Sequence, residues 1–71
     1  MSAVTTYGSP SGRTIHLTVA QECLLQKHDV WPKDNQGREY CKISHGLHEG
    51  KPTFSDDAAL LAWCGVKNAA G

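Results

Sequence analysis

Polar and apolar side chains alternate along residues 13–17, where Ile15 and Leu17 share one face and polar residues occupy the other. A period of two predicts a half-buried β-strand. The preceding residues 8–12 are glycine, serine and proline, which is typical of a loop. Because residues 1–7 are also prone to β-structure, the segment is consistent with a hairpin.

A helix is predicted directly after this strand. Thr18 and, three positions later, Gln21 have the spacing of a capping box. The helix should end near residues 28–29, because Pro32 disfavours helical geometry just before it. At 100° per residue, Leu25 and Gln21 fall on the polar side. The predicted buried face comprises Val19, Ala20, Cys23 and Leu24.

A second alternating stretch, residues 38–45, predicts another strand, with Cys41 and Ile43 on its inward face. Residues 46–50 have a glycine at each end and predict a turn. Residues 51–54 then predict a return strand, so the second half of the chain is expected to contain its own hairpin.

The C-terminal apolar segment predicts a second helix over residues 58–64. Ser55 is its expected N-cap, and Gly65 is its expected C′ residue. Leu61 points away from the main apolar face. That face comprises Ala59, Leu60, Trp63 and Val66.

Together these elements predict an α+β fold, in which a small antiparallel sheet of three to four strands packs against two short helices. The 71 residues fit one small domain, with residues 1–12 as an N-terminal strand and loop and residues 66–71 as a short tail. A chain of this size buries only about 60% of its unfolded surface. It therefore offers no room for a substrate cleft enclosed between two lobes.

Composition narrows the functional class. Seven basic side chains balance seven acidic ones, which argues against nucleic acid as the partner because phosphate binding usually needs a basic excess. No apolar run approaches the roughly 20 residues of a membrane span, and the start lacks the features of a secretory signal. Three cysteines are an odd number, so free thiols in the cytoplasm are expected.

Two thiols and two imidazoles supply the ligand types of a tetrahedral zinc site: Cys23, His28, Cys41 and His45. Their spacing is unfavourable. Cys23 and His28 would lie about 140° apart around a helix, and Cys41 and His45 would lie about 13 Å apart on a straight strand. We therefore predict no metal and no cofactor.

Catalysis is not predicted either. His45, His48 and Glu49 could form a base–carboxylate pair, but a nucleophilic thiol would need a depressed pKa and an oxyanion cradle. Cys23 is expected in mid-helix and Cys64 at a helix C-terminus, and both places disfavour a thiolate. The chain is accordingly predicted to be a binding protein without enzymatic activity.

Several side chains are candidates for contact with a protein partner. Tryptophan, tyrosine and arginine dominate interface hot spots, and two histidines are expected at a hairpin tip. Leu25 and Leu61, which lie off the predicted buried faces, are candidates for a homodimer seam or a partner patch. The partner-binding candidates are Trp31, Arg38, Tyr40, His45, His48 and Leu61.

Residues 18–23, TVAQEC after an extended segment, resemble the opening of the helix that starts the DNA-binding unit in excisionases and MerR-like winged helix-turn-helix domains. The resemblance implies a small DNA-binding regulator as the alternative function. A basic recognition helix should then follow, but Val30, Trp31 and Pro32 follow instead. A basic wing could be formed by Arg38, Lys42, Lys51 and Lys33.

Residues 37–65, a strand–strand–helix unit ending in TFSDDAALLAWC and a glycine, resemble units of small phage-encoded inhibitors, including anti-CRISPR proteins. The resemblance implies a cytoplasmic inhibitor or regulator that blocks a host protein complex through a protein–protein interface. Many such inhibitors are acidic mimics of nucleic acid. Since this chain is neutral, a protein surface is the expected target.

Overall fold

The computed structural model of the protein describes residues 2–66. Its fold is α+β, as the sequence predicts, with a small four-stranded antiparallel sheet and two helices. Of the tail expected at residues 66–71, Val66 packs against the core, and residues 67–71 lie outside the described residues. In chain order the elements are β1 (Ser2–Gly8), β2 (Thr14–Thr18), α1 (Val19–Lys27), β3 (Cys41–Lys42), β4 (His48–Gly50) and α2 (Asp57–Trp63).

Strand β1 is the middle strand of the sheet. One edge pairs with β2, with Val4 opposite Thr18 and Gly8 opposite Thr14. This arrangement confirms the N-terminal hairpin. The other edge of β1 pairs with both β3 and β4.

The predicted hairpin between the last two strands is wrong. Lys42 lies opposite Tyr7 and His48 lies opposite Val4. Tyr7 and Val4 are three positions apart, whereas Lys42 and His48 are six apart, so three additional residues bulge out of one interrupted edge strand. The stretch expected to be a turn is thus part of the sheet edge.

The bulge is stabilised by hydrogen bonds that satisfy the backbone of Thr6. The Thr6 N–H donates to Ser44 Oγ at 3.1 Å, and the Thr6 carbonyl accepts from the Ile43 N–H at 3.0 Å. The Ser44 hydroxyl in turn donates to the Gly46 carbonyl at 3.1 Å. A side chain therefore replaces the missing ladder partner, since an unpaired backbone group would cost free energy.

The return strand predicted at residues 51–54 is also wrong. Thr53 contacts the outer edge of β2 without extending it as a strand. Its N–H donates to the His16 carbonyl at 2.9 Å, and its hydroxyl accepts from the His16 N–H at 2.7 Å. Residues 51–53 thus connect the two edges of the sheet.

Both helices cover the face of the sheet that carries Tyr7, Ile15 and Leu17. The buried cluster consists of Tyr7, Ile15, Leu17, Leu25, Tyr40, Leu60 and Leu61. The Tyr7 hydroxyl donates to Glu22 Oε1 at 2.8 Å and so ties β1 to α1. Burial, together with this hydrogen bond and the nearby carboxylate, raises the pKa of Tyr7 above its usual range.

The capping box of α1 is confirmed, but its predicted buried face is wrong. Gln21 and Leu25 are buried, whereas Val19 is 47% exposed. Gln21 tolerates burial because both ends of its amide are bonded. Its Oε1 accepts from the Thr18 N–H at 3.1 Å, and its Nε2 donates to the Phe54 carbonyl at 2.7 Å.

The predicted inward face of α2 is right only in part. Leu60 is buried and Val66 packs against the core, as predicted, but Leu61 is buried too and Trp63 is 40% exposed. The N-cap is Asp56 rather than Ser55, because the Asp56 side chain accepts from the Ala58 N–H.

The inward face predicted for residues 38–45 is reversed as well. Tyr40 is buried, whereas Cys41 is exposed and Ile43 is 58% exposed. In α1, α2 and residues 38–45, the elements packed against the segment decide which side is buried. The local periodicity of the sequence carries no information about those elements.

Candidate partner-binding groove

The C-terminus of α1 forms one side of an open groove. The Val30 N–H donates to the Leu25 carbonyl and the Asp29 N–H donates to the Gln26 carbonyl, each at 3.1 Å. These two bonds define a Schellman motif, in which the C′ residue adopts the left-handed conformation. That residue is Asp29, with φ of 54°. An aspartate therefore stands where glycine is usual.

The C-terminus of α2 forms the other side in the same way. The Val66 N–H donates to the Leu61 carbonyl at 2.9 Å, and the Gly65 N–H donates to the Ala62 carbonyl at 3.0 Å. Gly65, with φ of 93°, is the left-handed C′ residue. This confirms the helix end predicted from the sequence.

A tight turn at residues 33–39 forms the third side, and Asp34 organises it. Asp34 Oδ1 accepts from the N–H groups of Gln36 and Arg38, each at 2.9 Å. Its Oδ2 accepts from the Ser11 hydroxyl at 3.1 Å and lies 3.5 Å from Arg38 Nε. The hydrogen bond from the Arg38 backbone, with the others, holds the pKa of Asp34 below its usual value, although burial opposes this.

Aromatic side chains support the floor of the groove. The Trp31 Nε1–H donates to the Tyr40 carbonyl at 2.7 Å, and the Trp31 ring meets the Tyr7 ring edge-on with centroids 5.2 Å apart. Trp63 packs against Tyr40 at 5.6 Å and against Phe54 at 5.1 Å. Both indoles are thus held by neighbouring rings, which limits the entropy they lose on binding.

The groove between these three sides has a volume of about 840 Å³ and is open to solvent. Trp31 and Trp63 both line it. Its charged lining includes the exposed carboxylates of Asp29 and Glu39 and the exposed ammonium group of Lys33. Asp34 lines it too, but its carboxylate is already engaged by two backbone N–H groups of the turn, by the Ser11 hydroxyl and by the Arg38 side chain.

Cys64 also lines the groove, and burial raises the pKa of its thiol. A raised pKa keeps the side chain in the thiol form, which is a poor nucleophile and a poor metal ligand. The Cys64 side chain therefore suits contact rather than covalent chemistry.

The predicted partner-binding residues divide between two places. Trp31 lines the groove and is partly buried, and Arg38 pairs with Asp34 beside it. Tyr40 supports Trp63 from below and is buried, so its predicted exposure is wrong. Leu61 is buried in the core with Leu25, so the exposed leucine patch expected from the helical wheels is absent.

The two histidine candidates lie elsewhere. His45 is exposed in the bulge. His48 Nε2 lies 2.6 Å from Thr6 Oγ1, and His16 Nδ1 lies 2.9 Å from the same oxygen. The two rings meet edge-on with centroids 5.9 Å apart. Because a hydroxyl has only one hydrogen to donate, at least one imidazole must donate to it, and Thr6 thereby ties β1 to both neighbouring strands.

The four zinc candidates do not come together. Cys23 and Cys41 are exposed on separate elements. Within residues 2–66, no group of three or more histidine, cysteine, aspartate or glutamate side chains is arranged to hold a metal ion.

Sequence reasoning missed three residues of the groove. Trp63 was assigned to the core, and Asp29 and Glu39 had no assigned role. The sequence signal for Asp29 is weak but present: a leucine, four further residues and a valine recur as residues 25–30 and 61–66, with Asp29 in the position of Gly65. For Glu39 we find no such signal.

Two further observations bear on the functional class. Neither described helix has the length and apolar character required to cross a membrane. No protein-family model matches the chain, and neither the curated proteins nor the solved structures include a significant match to it.

Proposed function

We propose that this protein is a non-enzymatic binding protein that receives a segment of a protein partner in the groove between Trp31 and Trp63. The proposal is carried by one observation: two tryptophans line the same open groove of about 840 Å³ on a very small molecule. Trp63 stays 40% exposed although its side chain is the largest of the residue types. Tryptophan is the side chain most enriched among interface hot spots.

The surroundings of the two indoles support contact as their role. Each is fixed by an aromatic neighbour, and the Trp31 N–H is already bonded to the Tyr40 carbonyl. A preorganised aromatic surface loses little conformational entropy when a partner docks. The volume of about 840 Å³ falls in the range of pockets that bind small molecules, about 300–1,000 Å³.

We propose further that binding blocks or regulates a host protein complex, in the manner of small phage-encoded or mobile-element inhibitors. This part rests on the strand–strand–helix resemblance of residues 37–65 and on the neutral charge of the chain. A neutral protein without an acidic surface excess is suited to covering a protein surface rather than to imitating nucleic acid.

The alternative of a DNA-binding regulator gains no support from the described residues. Helix α2, Asp57–Trp63, has an acidic first turn and contains neither arginine nor lysine. It therefore has no basic face for phosphate contacts. Between α1 and α2, the described chain forms the 33–39 turn and the interrupted edge strand rather than a recognition helix.

Site-specific photo-crosslinking tests the proposal. A benzoyl-phenylalanine is placed at position 63 in the groove or, as a matched control, at position 47, where Leu47 is 54% exposed in the bulge. In cells of the organism that carries the gene, we expect a discrete protein adduct from position 63 alone. Excess unmodified protein should compete it away.

Adducts of equal intensity from both positions, or from position 47 alone, would contradict the proposal. Circular dichroism of each variant verifies that the fold is retained. An adduct from position 63 that contains DNA rather than protein would favour the alternative function.

A further inference from the structure

We infer that the groove recognises an arginine side chain presented by the partner segment. This inference rests on the proposed function and names the chemistry that the groove selects. It starts from the charges that surround the two indoles. Asp29 and Glu39 contribute two exposed carboxylates against the single ammonium group of Lys33.

The remaining charges near the groove are already paired. The Asp34 carboxylate is bonded to the turn, and Arg38 Nε lies 3.5 Å from it. Within residues 2–66, Asp34 and Arg38 form the single ion pair of the structure. The backbones of Lys33 and Glu39 form an isolated antiparallel β-bridge, but the Lys33 ammonium group and the Glu39 carboxylate do not form an ion pair. Glu39 is thus free to meet an incoming cation.

The end of α1 adds to this negative character. Asp29 and Val30, which follow its last turn, line the groove. The carbonyl end of a helix has a partial negative charge and favours a cation placed beside it. The effect has the same sign as that of the two carboxylates.

Asp29 is the most informative residue. Its φ of 54° lies in the left-handed region, where a side chain costs conformational free energy that glycine avoids. At the equivalent position of α2 the chain has Gly65. The fold therefore places a carboxylate at the groove although the backbone there favours glycine, and residues in strained conformations cluster at functional sites.

Arginine fits this combination better than lysine. A guanidinium group is planar, so it stacks on an indole face and also directs several N–H groups toward carboxylates. An ammonium group makes the cation–π contact as a point charge and remains more strongly hydrated. Two indoles and two carboxylates around one groove offer both kinds of contact that a guanidinium makes.

An NMR titration tests the inference. Protein labelled with ¹⁵N is titrated with a capped Gly-Arg-Gly peptide, with the matched lysine peptide and with the citrulline peptide, which is a neutral isostere of arginine. We expect saturable shifts of the indole resonances of Trp31 and Trp63. The arginine peptide should bind about tenfold more tightly than the citrulline peptide, because the contact is both ionic and cation–π.

Carboxylate variants test the charge contribution. Asp29→Asn and Glu39→Gln should each weaken binding of the arginine peptide by about two- to fivefold, the range of exposed ion pairs. Glu49→Gln removes the same charge from an exposed residue of β4, away from the groove, and should change affinity by less than about twofold. Asparagine adopts the left-handed conformation readily, so the Asp29 variant should remain folded.

Equal affinity for the arginine and citrulline peptides would overturn the inference, as would tighter binding of the lysine peptide. Shifts confined to resonances outside the groove would overturn it too. A groove-specific crosslink at position 63 without arginine preference would leave the proposed function standing and remove this inference alone. Arginine selectivity without any crosslink at position 63 would instead count against the proposed function.

Discussion

The two helices end with the same six-residue pattern and the same pair of backbone hydrogen bonds, but with different residues in the left-handed position. Leu25 and Val30 bracket the end of α1, and Leu61 and Val66 bracket the end of α2. Asp29 occupies the C′ position in the first and glycine occupies it in the second. Both ends face the same groove.

The comparison of the two helix ends shows that folding requires the buried leucine but not the carboxylate. Both ends need the leucine, because a Schellman motif returns the chain over the helix and brings the residue at C3 against the core. Neither end needs a carboxylate. Gly65 adopts the left-handed conformation at the end of α2 without steric cost. Asp29 adopts it at the end of α1 at some conformational cost, and it places a charge at the groove that Trp31 also lines.

The largest effect is expected where the two ends agree. Leu25→Ala and Leu61→Ala should each lower the free energy of unfolding by about 2–5 kcal/mol, because each removes a buried side chain from one small core. Leu47→Ala, in the exposed bulge, is the control and should change it by less than about 0.5 kcal/mol. Urea denaturation followed by circular dichroism measures all three.

A loss of less than about 1 kcal/mol at Leu25 or Leu61 would mean that the leucine is not anchored in the core as described. It would also restore the earlier expectation that these leucines form an exposed patch.

A smaller effect is expected where the two ends differ. Gly65→Ala should destabilise by about 1–2 kcal/mol, because alanine at positive φ is strained. The added methyl group would meet no atom within 4 Å, so the cost is conformational alone. Asp29→Gly should instead stabilise by about 0.5 kcal/mol, with part of the gain offset by the greater freedom of glycine in the unfolded chain.

Thermal and urea unfolding of both variants measure the change in the free energy of unfolding, which should be a decrease for Gly65→Ala and an increase for Asp29→Gly. Gly65→Asp serves as the matched control and should fall between wild type and Gly65→Ala, since aspartate tolerates the left-handed region better than alanine. If Asp29→Gly destabilised the protein, the carboxylate would have a folding role that the comparison denies it.

The smallest difference is expected at the 33–39 turn, which follows the end of α1, and it should appear at acid pH. Hydrogen bonds, above all from the Arg38 backbone, lower the pKa of Asp34 in the folded state. Its contribution to stability is complete above the unfolded pKa of about 3.9 and is lost as pH falls through the lower folded value. The melting temperature of wild type should therefore fall below about pH 4 more steeply than that of Asp34→Asn. Parallel curves for the two proteins would contradict this.

Local patterns predicted the parts of the fold that depend on neighbouring residues. The hairpin of β1 and β2, the capping box of Thr18 and Gln21 and the left-handed Gly65 all involve groups within a few positions of one another. The buried sides of the helices were not predictable in this way. Gln21 tolerates burial because its amide donates to the Phe54 carbonyl, 33 positions away.

The candidate groove was predictable only in part. Trp31 was identified as a contact candidate from its residue type, and it lines the groove. Trp63 was assigned to the core because helical periodicity marks an apolar side without showing how much of it the rest of the chain covers. The meeting of His16 and His48 at Thr6 likewise requires β4 to pair with β1.

By itself the sequence determined the α+β class, the first hairpin, both helices, the capping box of α1 and the C′ glycine of α2, because these depend on short-range hydrogen bonds and backbone preferences. The tertiary structure alone decided that residues 41–50 form an interrupted edge strand, which side of each helix is buried, and that two helix ends and a turn enclose a groove. Each of these features depends on contacts between residues far apart in the chain. A local sequence pattern cannot reveal the free energy of those contacts, because it does not show which distant residues meet.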